Sequence, residues 1–142
     1  MKKNSILPTS LALGAGIALA LAVPMSASAH VGASAATTAA GAYAVITLSV
    51  PHGIEGAPTQ SVAIEIPDSI ITVTPTVNPN WVISETMVPL DPPAEDQTER
   101  VSVVTYTAKD APLDPHQRDT FQISVQLPQG EVGDVLEFRT TQ

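Results

Sequence analysis

Asp119-Thr120-Phe121-Gln122-Ile123-Ser124-Val125-Gln126-Leu127 alternates without a fault, with Phe121, Ile123, Val125 and Leu127 forming one apolar face. A strand turns successive side chains to opposite sides, so this spacing predicts a half-buried strand over residues 119–127. Residues 42–50 carry the same signature: Ala44, Ile46, Leu48 and Val50 point one way, and Tyr43, Val45, Thr47 and Ser49 the other. Further strands are predicted over 61–66, with Val62, Ile64 and Ile66 inward and Glu65 outward before the Pro67-Asp68 stop. The β-branched run 70–74, residues 81–86 after the turn-forming Asn78-Pro79-Asn80, and residues 100–108 follow the same rule. Leu136, Phe138 and Thr140 read as one more strand, and residues 31–36 as an edge strand.

No window has helical periodicity of useful length, and the chain's 13 prolines interrupt helices while marking strand ends. Strands with one apolar face need a second sheet to cover it. The predicted fold is therefore all-β, an antiparallel β-sandwich of immunoglobulin or cupredoxin type. Residues 89–99, rich in proline and bearing Asp91, Glu95, Asp96 and Glu99, are expected to form a solvated acidic loop. No internal repeat or low-complexity linker divides the chain.

The first 29 residues read differently. Lys2 and Lys3 form a positive start, residues 6–23 are apolar but broken by Pro8, Thr9, Ser10 and several glycines, and the segment ends in Ala27-Ser28-Ala29. This pattern predicts a signal peptide over residues 1–29, cleaved before His30, and hence a secreted or extracytoplasmic protein of the cell envelope. A retained membrane anchor is the competing reading, because the apolar run approaches spanning length; the Ala-x-Ala ending argues for removal. Cleavage takes two of the six cationic residues and leaves four against 14 Asp and Glu. Such an acidic chain repels phosphate backbones and anionic head groups, which disfavours nucleic acid and membrane-surface partners.

There is no cysteine, so neither a disulfide nor a thiolate ligand is available. A metal site here uses nitrogen and oxygen, which suits Cu(II), Zn or Ni over Cu(I). Cleavage before His30 supplies an unusual donor pair, because an N-terminal histidine offers its α-amine and a ring nitrogen to one ion. After the first full strand comes Val50-Pro51-His52-Gly53-Ile54-Glu55-Gly56, with an imidazole and a carboxylate within four positions. Loops at one end of a sandwich converge. If residues 31–36 form an edge strand, His30 lies near this loop, where Glu55 or His52 completes a tetragonal set around Cu(II).

Each candidate also has a plain structural reading. Glu55, His52 and His116 suit solvated turns, and Trp81 suits a core residue opening a strand, although an indole beside a metal excludes water and tunes it. Enzymatic signatures are lacking: there is no Gly-x-Ser-x-Gly elbow, no phosphate-cradling glycine loop and no His-Glu-x-x-His helix. The expectation is a protein that is not an enzyme.

Ala29-His30-Val31, the Val50-Pro51-His52-Gly53 loop running to Pro58-Thr59, Ile64-Glu65-Ile66-Pro67, Asn80-Trp81, the strand from Phe121 to Pro128 and the close from Phe138 to Gln142 together resemble the bacterial YcnI-like copper-binding domain. The resemblance spans residues 30–142. It implies a secreted or envelope-bound β-sandwich whose mature N-terminal histidine and a glutamate hold Cu(II), a monohistidine brace. By that resemblance His30 is the histidine, Glu55 the carboxylate, and His52 a ligand or its neighbour. It further implies copper trafficking or homeostasis, with a membrane copper transporter or another copper carrier as partner.

Two departures stand out. Asn80 replaces the glycine usual before the tryptophan, and the family pattern continues past Thr140-Thr141-Gln142 with a hairpin carrying a second tryptophan and, in many members, a hydrophobic anchor. The domain is thus expected to be truncated at its C-terminus, with an anchor only in a longer chain. Two other functions compete with copper carriage: a metal-independent envelope structural or interaction domain, and an oxidative copper enzyme in which His52 makes a two-histidine brace.

Overall fold

The computed structural model describes residues 30–51, 57–94 and 96–142. The strands are β1 (Gly32–Ala35), β2 (Tyr43–Val50), β3 (Ser61–Glu65), β4 (Val73–Pro75), β5 (Trp81–Ala94), β6 (Gln97–Ala108), β7 (Asp119–Gln126) and β8 (Thr140–Thr141). They form two sheets, β1-β2-β7-β4 and β5-β6-β3-β8. Every pairing is antiparallel. There is no helix among the described residues. The antiparallel sandwich expected from the alternation is the fold.

The two stretches with the clearest alternation pair with each other. Ala44 lies opposite Val125, Ile46 opposite Ile123, and Leu48 opposite Phe121. Residues opposite each other in a ladder share a face, so this register puts both apolar sets on the inside; a one-residue slip would turn one set to water. The facing sheet answers with Val62 and Ile64 of β3 and Val104 and Tyr106 of β6, all without exposed surface.

Phe121 lies at the centre. Trp81 meets it edge-on and Tyr106 meets it tilted, each with ring centroids 4.9 Å apart. Tyr106 also joins the sheets through a polar bond: its hydroxyl donates to the Gln122 carbonyl at 2.9 Å, with the Thr76 carbonyl 3.4 Å away. Burial pushes this hydroxyl up from 10.0 to about 12, with the Thr76 contact opposing the shift and the Glu85 charge adding to it.

Three stretches depart from their sequence reading. The expected acidic loop at 89–99 is instead the outer part of a long hairpin, because β5 runs to Ala94 and β6 begins at Gln97. Prolines are tolerated there because β5 is an edge strand, whose ladder lies on one side only, and its register breaks between Thr86 and Met87 and between Pro89 and Ala94. Gln97 ties the arm back by donating to the Ile71 carbonyl at 3.2 Å, and Arg100 pairs with Asp68.

The run 70–74 yields a strand only from Val73. Ile70 is fully buried, but its N–H donates to the Pro67 carbonyl in a turn. The predicted strand through Leu136 and Phe138 shrinks to Thr140–Thr141. Leu136 and Phe138 pack on the core without joining a ladder. Upstream, the Asp134 carboxylate accepts the Glu131 N–H at 2.8 Å and closes a turn.

Replacing Phe121 with alanine is expected to cost about 3–5 kcal/mol, because it deletes the ring on which both other aromatics rest; urea unfolding measures it. Tyr106 gives a pH test. The unfolded chain releases its hydroxyl proton near pH 10.0, whereas the folded chain keeps it to about 12. Its contribution is present below that window and is lost as pH rises through it. Denaturation of Tyr106→Phe should show a shallower loss of stability across the same window than the parent.

Candidate metal-binding end

The β1–β2 register pairs Gly32 with Ser49 and runs without a break to Ala35 opposite Ile46. Carried two residues back, it sets the exposed His30 level with Pro51, the last described residue before the segment bearing His52 and Glu55. The same level continues across the sheet, since Val50 lies opposite Asp119 at the start of β7. In the other sheet, Trp81 opens β5 opposite Ala108. One end of the sandwich therefore gathers His30, the exit of β2, Asp119 and Trp81.

Trp81 is held there by both halves of its side chain. Its ring packs against Phe121, and its indole N–H donates to the Asp119 carboxylate at 2.8 Å. The second Asp119 oxygen accepts the Thr120 N–H at 2.7 Å, which fixes the carboxylate. Trp81 follows a turn in which its N–H donates to the Asn78 carbonyl at 3.0 Å, while the Asn80 N–H lies 3.4 Å from the Asn78 side-chain oxygen. The expected turn therefore forms with asparagine ahead of the tryptophan.

A cleft of about 220 Å³ opens beside the indole, lined by Asn80, Trp81, Asp110, Leu113, Gln117 and Asp119 among others. Paired bonds between Thr59 and Leu113, at 3.0 and 2.9 Å, fasten one wall. His116 lies in the neighbouring turn, exposed, with its N–H donating to the Asp114 carboxylate at 2.8 Å. This is the turn role expected of it.

Of the candidate ligands, His30 lies two residues before the edge strand β1, level with the β2 exit. The assignments of Glu55 and His52 fall on residues 52–56, outside the described residues. Among the described residues no three His, Asp or Glu side chains gather as a metal-binding group. Asp119 was not singled out from the sequence. An aspartate before an alternating strand looks like any solvated strand-end residue, and only the fold shows that an indole 38 positions away donates to it.

The two sheets and their pairing define an immunoglobulin-like β-sandwich. Residues 30–142 match the family described as a domain of unknown function, DUF1775, the family of YcnI-like domains, and the chain belongs to it. Among solved structures, it is similar to an uncharacterized protein from Nocardia farcinica whose crystal structure reveals an immunoglobulin-like fold. The two share 30% identity over 73% of this chain and 71% of the other, with a TM-score of 0.57. No curated protein matches the chain.

The Trp81–Asp119 bond makes a local prediction. Asp119→Ala leaves a largely buried indole N–H without its acceptor, at an expected cost of about 1–3 kcal/mol. Because Trp81 is the chain's sole tryptophan, its emission spectrum should shift in the same variant, whereas an unchanged spectrum and stability would remove Asp119 from this role.

Proposed function

We propose that this protein is an exported copper carrier that takes one Cu(II) as cargo at its mature N-terminal histidine. The supporting observation is the β1–β2 register, which brings His30 level with Pro51, where the chain enters the segment carrying Glu55 and His52. The donor chemistry fits the ion. In the proposed site, the His30 α-amine and ring nitrogen close a chelate, and a carboxylate or second imidazole completes the tetragonal nitrogen and oxygen set that Cu(II) favours. Glu55 is the proposed carboxylate ligand, with His52 as a further donor or a neighbour.

At the same end of the sandwich, the buried Trp81 is fixed by its bond to the Asp119 carboxylate. The proposed activity is binding and transfer without catalysis, in the extracytoplasmic space or cell envelope. A membrane copper transporter or a second copper carrier would receive or supply the ion.

Chelation by the α-amine carries its own signature. The amine must lose a proton to bind, and its ordinary pKa is about 7.7–8.0, so affinity should fall by about tenfold for each pH unit below that range from this group alone. The decisive comparison is a Cu(II) titration, read by electron paramagnetic resonance, of protein beginning at His30 against protein with one additional residue before it. A one-to-one tetragonal nitrogen and oxygen signal confined to the first protein is expected, with Glu55→Gln and His52→Ala then separating the remaining ligands. Equal affinity in the extended protein would overturn the chelate and favour the metal-independent envelope domain.

A further inference from the structure

The four sheet edges are not protected alike. β4 is three residues long and ends in Pro75, β8 has two residues, and β5 carries Pro89, Pro92 and Pro93 with two breaks in register. Short length, proline and bulges are the means by which exposed edges avoid pairing with other chains. β1 is Gly32-Ala33-Ser34-Ala35, with unbroken register, no proline, no charge and all four residues exposed. Among the described residues it is paired on one side only.

Its free side can be assigned atom by atom. The Ala36 N–H donates to the Val45 carbonyl at 3.1 Å, in step with the β1–β2 register. Hydrogen-bonded and non-hydrogen-bonded positions alternate along an antiparallel pair, so Gly32, Ser34 and Ala36 address β2, while the backbone groups of Ala33 and Ala35 face outward. On the inner side of this edge runs a groove of about 890 Å³, whose lining includes Ala33, Ala35, Ile46, Leu127, Leu136 and Phe138. Val132 and Val135, both strongly exposed, border the same groove.

Charge selects the occupant. Residues 31–50 contain no charged side chain, although the chain holds 14 Asp and Glu against six Lys and Arg. Two copies of so acidic a protein repel at most faces, and this edge is where they can meet without opposing carboxylates. We propose that β1 pairs antiparallel with β1 of a second copy about a twofold axis at Ser34, joining two four-stranded sheets into one of eight strands.

The register that uses the whole strand sets Ala33 opposite Ala35 of the other copy, Gly32 opposite Ala36, and Ser34 opposite its own equivalent in a non-hydrogen-bonded pair. The His30 residues then lie about 27 Å apart along the ladder, at 3.4 Å per residue, so the dimer does not depend on copper. An interface built on one short strand belongs to the weak, concentration-dependent class.

The chain has no cysteine, which makes crosslinking a clean test. In protein beginning at His30, which contains both sheets, Ser34→Cys should form a covalent dimer under mild oxidation, since Cα atoms in a non-hydrogen-bonded pair lie about 4.5 Å apart. Ala36→Cys should not, because its equivalents are offset by about 14 Å. Ala35→Pro removes one outward N–H from each copy while leaving the β2 ladder intact, and should weaken self-association by at least about tenfold in sedimentation velocity. A monomer at every concentration, equal crosslinking of both cysteine variants, or a dimer that ignores Ala35→Pro in a folded protein would each overturn the proposal.

Discussion

The structure depends on Phe121 being shared. Its ring has no exposed surface and serves as the contact for both Trp81 and Tyr106, which come from the opposite sheet. Tyr106 then reaches across to the backbone of Gln122, the residue after Phe121, so an apolar and a polar link between the sheets meet at one point of β7. Aromatic pairs in such geometries add about 0.5–1.5 kcal/mol beyond the area they bury. A domain without disulfides relies on this kind of concentrated packing to fix one sheet over the other. It also fixes the candidate end, because Trp81 opens β5 at the level where β2 leaves the sheet and where β7 begins.

How well each part of this fold could be read from sequence follows from how local its cause is. β2 and β7 were legible because alternation is set residue by residue and both faces are pure: Ala44 to Val50 and Phe121 to Val125 are buried at every second position. The Pro89 to Glu99 stretch misled because proline argues against a central strand and acidity against a buried one. Neither argument applies to an edge hairpin extending beyond β3, which pairs only with the Val103 to Thr107 part of β6. Leu136 and Phe138 misled in the opposite sense. They alternate, and they pack on the core, but hydrophobic burial alone does not require a ladder partner.

The candidate site divides along the same line. The reading of His30 as a mature N-terminus rests on a short leader pattern and on one residue's chemistry. The position of His30 beside the β2 exit needed only one correct strand pairing. Asp119 was invisible because its role arises from a tertiary contact between β5 and β7, and no local feature distinguishes a carboxylate that accepts an indole N–H from one that faces water.

Charge is unevenly distributed over the two sheets. Outward faces of β2 and β7 carry Tyr43, Thr47, Ser49, Gln122, Ser124 and Gln126, with Gln122 donating to the Thr47 hydroxyl at 3.2 Å, and no ionised group stands among them. Carboxylates stand instead in connections, at strand ends and along the β5–β6 hairpin, with Asp110 and Asp119 lining the cleft beside Trp81. The neutral β1 edge is left without electrostatic protection. Under the proposed readings, attraction of a metal ion and pairing of two chains therefore occupy separate parts of one strand: its N-terminal end and its open side.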